Sequence, residues 1–432
     1  MAVIEADPLP PAARRAGRAV SLDDALGAIP DGARVYFSPI CGVPLALLDE
    51  MAAQRHRWQR LELVSDYLME PVAPFSHPGE PFHLTSLQPT PAVEPMRRAG
   101  VLRAISASYV QYAGLIAPDG PIPLDAALVQ VSPPGPDGRF SLGVSAGATV
   151  QVVRRTPLVI AEVNPAMPYT FGATECDRSM FDLLVDVEHP LVELTVHEPD
   201  EVARAIGGYA AGEVVDGATL QFGIGAIPES VLAGLGDRVD LGLHGGMVGD
   251  SVVGLAEAGV LTGRRKSIDP GLHVVAGVVG SRRSFEWVHR NPTVCTVSSA
   301  YSHGVPVLAR LERFTAINSA LEVALDGSVN AEQAGARVVS GPGGQPDFAV
   351  GANLSPGGVS IVALRSTAGD GSVSRLVRQL GAGTPTTLPR YLVDRIVTEF
   401  GVARLRGRSA PERAAALAVV AHPDHRDALL AP

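Results

Sequence analysis

The residues best equipped for chemistry lie in glycine-rich stretches. In FGIGAIPES (222–230), Gly223 and Gly225 permit a tight turn and a close backbone approach to a ligand. Pro228 suits a first helical turn, and Glu229 stands at the end favoured by the helix dipole. The exposed N–H groups of such a turn form an anion or oxyanion site, although the same pattern also describes a plain strand-to-helix turn. A second stretch is SGPGGQPDFAVGANLSPGG (340–358), with Gly341, Gly343 and Gly344 at its start, Gly351, Gly357 and Gly358 later, and Asp347 inside. Read as a loop, it leaves many backbone N–H groups to meet a carbonyl oxygen or a phosphate, or else it is a flexible surface segment.

LHGGMVGDSV (243–252) sets His244 and Asp250 around three glycines, as at a strand end in a site. His244 is a candidate base or an ordinary half-buried histidine. Asp250 is a second candidate base, but its place before SVVGLAEAG favours a helix N-cap. In the tail, Glu399 follows the strand-like run LVDRIVT and precedes Gly401, which makes it a third candidate base. Ser366, Thr367, Ser374 and Arg375 suit polar substrate groups or loop hydrogen bonds. There is no Walker A, HExxH or GxGxxG with a downstream acid, which sets aside kinases, zincins and dehydrogenases. The 11 histidines are scattered, with His422 and His425 in a polar tail, and Cys41, Cys176 and Cys295 form no CxxC pair. The expectation is no metal site and no disulfide framework.

The elements that must position these stretches repeat. After a flexible lead-in (1–20), Ser21 caps a helix beginning SLDDALGAI, ARVYF (33–37) reads as a strand, and LALLDEMAAQ reads as a helix. Later, DEVARAIGGYAAGEV reads as a helix, ATLQF (218–222) as a strand, GIGAIP as a turn and ESVLAGL as a helix. DGARVYFSPICGVPLALL and DGATLQFGIGAIPESVLAGL share D-G-A, the strand, a glycine-containing turn and a proline, which points to an internal duplication. The join falls near 190–202, giving lobes 1–195 and 196–432. LVQVS (128–132), LVIAEVN (158–164), HVVAGVV (273–279) and VSIVAL (359–364) are near-continuous apolar runs, as in parallel strands buried on both faces. The fold class is therefore α/β, with two open, mostly parallel-sheet lobes. In such sheets ligands bind beyond the carboxyl ends of the strands, where the glycine-rich turns lie.

At 432 residues the chain needs more than one core, at about 150 residues per domain. A net charge of -10 argues against nucleic-acid or membrane-surface partners. The N-terminus lacks an apolar signal-peptide region and no run of 18 apolar residues occurs, so a cytoplasmic protein is expected. Basic residues are almost all arginine, with a single lysine, Lys266.

Taken together, SPPGPDGRFSLG (132–143), VIAEVNPAMP (159–168), GATLQFGIGAIPESVLAGL (217–235), DLGLHGGM (240–247), SGPGGQPDF (340–348), STAGDGSVSRLV (366–377), VTEFGVARLRG (397–407) and AHPDHR (421–426) resemble the acetyl-CoA hydrolase/4-hydroxybutyrate-type CoA-transferase family. The resemblance implies a CoA-transferase-like fold, with the thioester in a cleft between lobes. It also implies a glutamate that attacks the thioester to give an anhydride and then a glutamyl–CoA thioester, with backbone N–H groups as oxyanion hole. By resemblance, Gly223, Ile224, Gly225, Ala226, Ile227 and Gly344 contact coenzyme A. No cofactor is held permanently; a coenzyme A or phosphopantetheine thioester is the substrate. A homodimer is expected by analogy.

Two departures qualify this. The family reads Ser/Thr–Glu–Met where this chain has Gly245–Gly246–Met247, so its nucleophilic glutamate falls on Gly246. The family's lysine after STA, expected to help bind coenzyme A, falls on Gly369. The leading expectation is transfer of the acyl group directly to water or another acceptor, with His244, Asp250 or Glu399 as base. The thioester would ride on coenzyme A or on an acyl carrier protein. The alternatives are an ordinary CoA-transferase with Glu229 or Asp250 as surrogate nucleophile, and a thioester-binding homologue without catalysis.

Overall fold

The structure, a computed structural model, describes residues 15–194 and 198–431. By contacts the chain divides into two compact units, Met1–Thr195 with Val274–Ser302 and Val196–His273 with His303–Pro432. The division expected from sequence, 1–195 and 196–432, assigns 274–302 to the second lobe, whereas its contacts lie with the first.

The first unit holds an eight-stranded sheet built from β1 (Arg18–Ala19), β2 (Arg34–Phe37), β3 (Leu61–Ser65), β4 (Phe82–Ser86), β5 (Leu102–Ala104), β6 (Ala126–Val131), β7 (Leu158–Val163) and β8 (Leu183–Asp186). Their order is β1-β8-β7-β6-β2-β3-β4-β5, with every pair parallel. Successive residues serve two different cores. Val35, Phe37, Leu63, Ala126 and Leu128 pack in one, and Tyr36, Val64, Ala127, Val129 and Val131 in the other. Strand side chains alternate faces, so a sheet covered on both sides needs apolar residues throughout. This is why the apolar runs were readable. Helix α1 (Leu22–Gly27) begins at Ser21, whose side chain accepts from the Asp24 N–H at 3.1 Å, as expected, and α2 is Leu45–Ala53. The returning segment is stitched in by the Gly147 N–H donating to the Ala276 carbonyl at 2.8 Å and by a Thr174–Thr296 hydroxyl pair at 2.7 Å.

The second unit repeats the scheme. Helix α3 (Glu201–Gly212), capped by Asp200, leads to β9 (Thr219–Phe222) and α4 (Ala226–Ala233). Then come β10 (Gly242–Val248), α5 (Asp250–Glu257), β11 (Phe314–Ser319), α6 (Gln345–Leu354), β12 (Val359–Ala363), β13 (Arg395–Thr398) and β14 (Gly401–Arg404). The strands run β14-β13-β12-β11-β9-β10, all parallel except the β13–β14 hairpin. In each unit the strand of the shared D-G-A motif, β2 or β9, lies between two parallel neighbours and is followed by a helix.

Three local expectations are corrected. Residues 345–354 of the second glycine-rich stretch are a helix, not loop, because Phe348, Ala349 and Ala352 supply an apolar face that packs into the cores on either side. Asp250 is the first residue of α5, and Gly249 occupies the cap position assigned to it. Helix α4 starts at Ala226, so half of the GIGAIP turn is already helical.

Candidate functional site

The site in the second unit lies at the carboxyl ends of β9, β10 and β11. The turn after β9 begins beside an amide pair. Gln221 Nε2 donates to Asn318 Oδ1 at 3.2 Å, and Asn318 Nδ2 returns a bond to Gln221 Oε1 at 3.1 Å. Gly223 follows directly, and Gly225 caps α4 with φ 118°, a conformation that only glycine adopts without strain. Gly223, Ile224, Gly225, Ala226 and Ile227 are all partly exposed, so the N-terminal N–H groups of α4 are presented to solvent. Glu229, in that first turn, is bonded by the Ser251 hydroxyl. Burial, assisted by nearby Asp250, pushes the Glu229 carboxyl above its ordinary range despite that bond.

On β10, Gly245 and Gly246 sit within the strand. Gly245 is buried over Gln221: a Cβ there would lie 3.2 Å from the Gln221 Cγ. Gly246 is partly exposed, its φ is outside the left-handed region, and a Cβ built on it would first meet Cε1 and Nε2 of His303, each at 3.5 Å. That is ordinary van der Waals contact. His244, two residues earlier on the same strand face, is fully buried.

His303 was not singled out in the sequence. It is only 3% exposed, and burial pushes its imidazole down to about 3. Its ring packs on Phe348 of α6 with centroids 4.3 Å apart. Gly344, the cap of α6, backs onto it so closely that a Cβ would lie 2.5 Å from His303 Cδ2. Gly246 and Gly344, read from separate motifs, thus meet on one imidazole. The only signal in the sequence was a histidine in an otherwise unremarked run, YSHGVP (301–306).

The tail candidates form a separate arrangement. Glu399 lies in the turn of the β13–β14 hairpin, and its carboxylate accepts from the Ser366 N–H at 2.9 Å and the Ser366 hydroxyl at 2.5 Å. Thr367–Ala368 pairs with Val373–Ser374, and Gly369 lies at the tip of that small hairpin with φ 66°. His425 Nε2 reaches the Gly371 carbonyl at 2.9 Å. Glu399 is thus engaged in anchoring this hairpin. Among the described residues no group of three or more His, Cys, Asp or Glu is placed to hold a metal ion, and no helix is long and apolar enough to cross a membrane.

Known proteins share this fold and much of this sequence. The acetyl-CoA hydrolase/transferase N-terminal domain matches residues 98–182 and the C-terminal domain of the same name matches residues 280–432. The chain is 36% identical over 419 residues to the 4-hydroxybutyrate coenzyme A transferase of Clostridium kluyveri, covering 95% of this chain and 96% of that one. It is 36% identical over 316 residues to the butyryl-CoA:acetate CoA-transferase of Anaerostipes caccae, covering 71% of each. Among solved structures, RipA from Yersinia pestis matches with a TM-score of 0.90 and 31% identity, over 95% of this chain and 96% of that one. The 4-hydroxybutyrate CoA-transferase of Porphyromonas gingivalis matches with a TM-score of 0.80 and 32% identity, over the same shares.

Proposed function

Because the chain belongs to the acetyl-CoA hydrolase/transferase family, we propose that it is an enzyme of acyl thioesters that hands the acyl group directly to water or another acceptor, without a glutamyl intermediate. The observation that carries this reading is Gly246. Neither its backbone conformation nor its surroundings demand glycine, since a Cβ would find only ordinary contact at 3.5 Å. The fold accepts a side chain at the position that the family resemblance assigns to the nucleophile, and the chain supplies none.

The rest of the site suits acyl transfer by any oxygen nucleophile. The partly exposed start of α4 suits an oxyanion hole, and such donors stabilise a tetrahedral intermediate whatever attacks. A surrogate carboxylate fits less well. Glu229 is already engaged by the Ser251 hydroxyl. Gly369 offers no charge for the nucleotide end of coenzyme A, so a phosphopantetheine arm on a carrier protein serves as well as coenzyme A itself.

The test offers one acyl group both on coenzyme A and on a carrier protein, with water and small alcohols as acceptors. Thiol release is followed while the protein is treated with borohydride and examined by mass spectrometry. Turnover with no modified carboxylate is expected. A glutamyl or aspartyl thioester on the chain would replace this reading with an ordinary transferase mechanism.

A further inference from the structure

The polar residues around the Thr367–Ser374 hairpin have separate roles. The Ser366 hydroxyl is spent on Glu399, and the Ser374 hydroxyl donates to the Leu376 carbonyl at 2.7 Å. The half-buried Arg375 guanidinium forms no hydrogen bond or ion pair among the described residues. Its charged neighbours are each engaged elsewhere. Arg365 donates to both oxygens of Asp200 at 2.8 Å, Glu399 holds Ser366, and Glu322 accepts from Asn330 Nδ2 at 2.9 Å. Burial and the Arg365 charge outweigh the attraction of Glu322 and Glu399, so the guanidinium pKa lies below its ordinary value. The backbone of Arg375 is nevertheless fixed on both sides. Its N–H donates to the Ser366 carbonyl at 2.8 Å, its carbonyl accepts from the Val323 N–H at 2.9 Å, and the next residue, Leu376, is fully buried. Arg365 and Glu399 lie just beyond the carboxyl ends of β12 and β13, which sets Arg375 at the same edge of the sheet as the turn before α4. Strand β12 is two strands from β9, roughly 10 Å at the usual spacing.

Resting on the acyl-thioester reading above, we propose that Arg375 binds the phosphate of the substrate's phosphopantetheine arm and so positions the thioester for the turn after β9. A planar guanidinium matches phosphate oxygens with two parallel donors. The acyl group of such a substrate need carry no charge, whereas the phosphate at the far end of the pantetheine arm is common to coenzyme A and a loaded carrier protein. It is therefore the one anion that every substrate of this class brings. An arginine already anchored through its backbone loses less freedom on binding than one on a free loop. The partner it lacks in the free protein is then supplied by the ligand, which offsets the cost of holding the charge half-buried.

Calorimetric titration of the full-length protein with pantetheine and with 4′-phosphopantetheine tests this without any turnover. The wild type is expected to bind the phosphorylated arm about tenfold or more tightly, and Arg375→Gln to bind the two alike. Equal binding of both probes by the wild type overturns the inference and leaves direct transfer standing. So does an Arg375→Gln variant that keeps the wild-type preference. Steady-state thiol release then compares one acyl group on pantetheine, on coenzyme A and on a carrier protein. Arg375→Gln should raise KM about tenfold or more for the two phosphate-bearing substrates, with kcat little changed, and leave KM for acyl-pantetheine as it was. A rise confined to acyl-CoA would assign Arg375 to the nucleotide end, and an equal rise for acyl-pantetheine would make its role structural; either overturns the shared-phosphate contact. A glutamyl or aspartyl thioester trapped on the wild type would remove direct transfer while the phosphate contact stands.

Discussion

Two glycines around one imidazole have opposite sensitivities to a single added methyl group. Gly344 has φ -85° and ψ -5°, which any residue adopts, so its constraint is contact alone. Gly344→Ala forces a Cβ to within 2.5 Å of His303 and should destabilise the protein by about 1–3 kcal/mol, as overpacking does. Gly246→Ala adds the same atom into ordinary contact on a strand, where alanine is favoured over glycine by about 0.5–1 kcal/mol. Thermal unfolding of the two variants should therefore move in opposite directions. Equal losses would mean that the space over Gly246 is filled.

The Ser366–Glu399 contact ties together two hairpins, Thr367–Ser374 and β13–β14. A hydroxyl bonded to a charged carboxylate contributes about 1.5–3 kcal/mol, so Ser366→Ala should lower the unfolding free energy by that order in denaturant titration. Elements like these show where sequence reading succeeds. The buried strands were legible because a sheet covered on both faces leaves its mark as continuous apolar residues, and the Ser21 cap because its chemistry is local. Helix α6 was missed because three glycines and a proline precede it, although Phe348, Ala349 and Ala352 already carried helical spacing. The family resemblance located Gly246 and Gly344, but no local pattern links either to His303. That proximity is made only by β10, the segment before β11 and the start of α6 coming together.

Across the whole molecule, buried ionisable groups set opposing pH dependences. Burial pushes His303 from 6.5 to about 3 and His273 from 6.5 to about 4, with Lys266 assisting at His273. Both are depressed, so the unfolded chain takes up protons first. Their contribution is full above pH 6.5 and is lost as pH falls toward the folded values. Asp66, pushed by burial from 3.8 to about 7, acts in reverse and gains stability as pH falls between those values. The effect of one histidine is isolated by comparing variants. Between pH 6 and 4 the unfolding free energy of His303→Gln should fall less steeply than that of the wild type by about 1.4 kcal/mol per pH unit. Parallel curves would mean that the imidazole is not buried as described.

The excursion of residues 274–302 into the first unit has a practical corollary for genetics and protein engineering. A gene severed at codon 195 would encode an amino-terminal product without the Ala276 carbonyl that receives the Gly147 N–H or the Thr296 hydroxyl that meets Thr174. Its carboxyl-terminal counterpart would carry that strip with nothing to dock on. Complementation by co-expressed halves, or reuse of either half as a portable module, would have to transplant the strip along with its host.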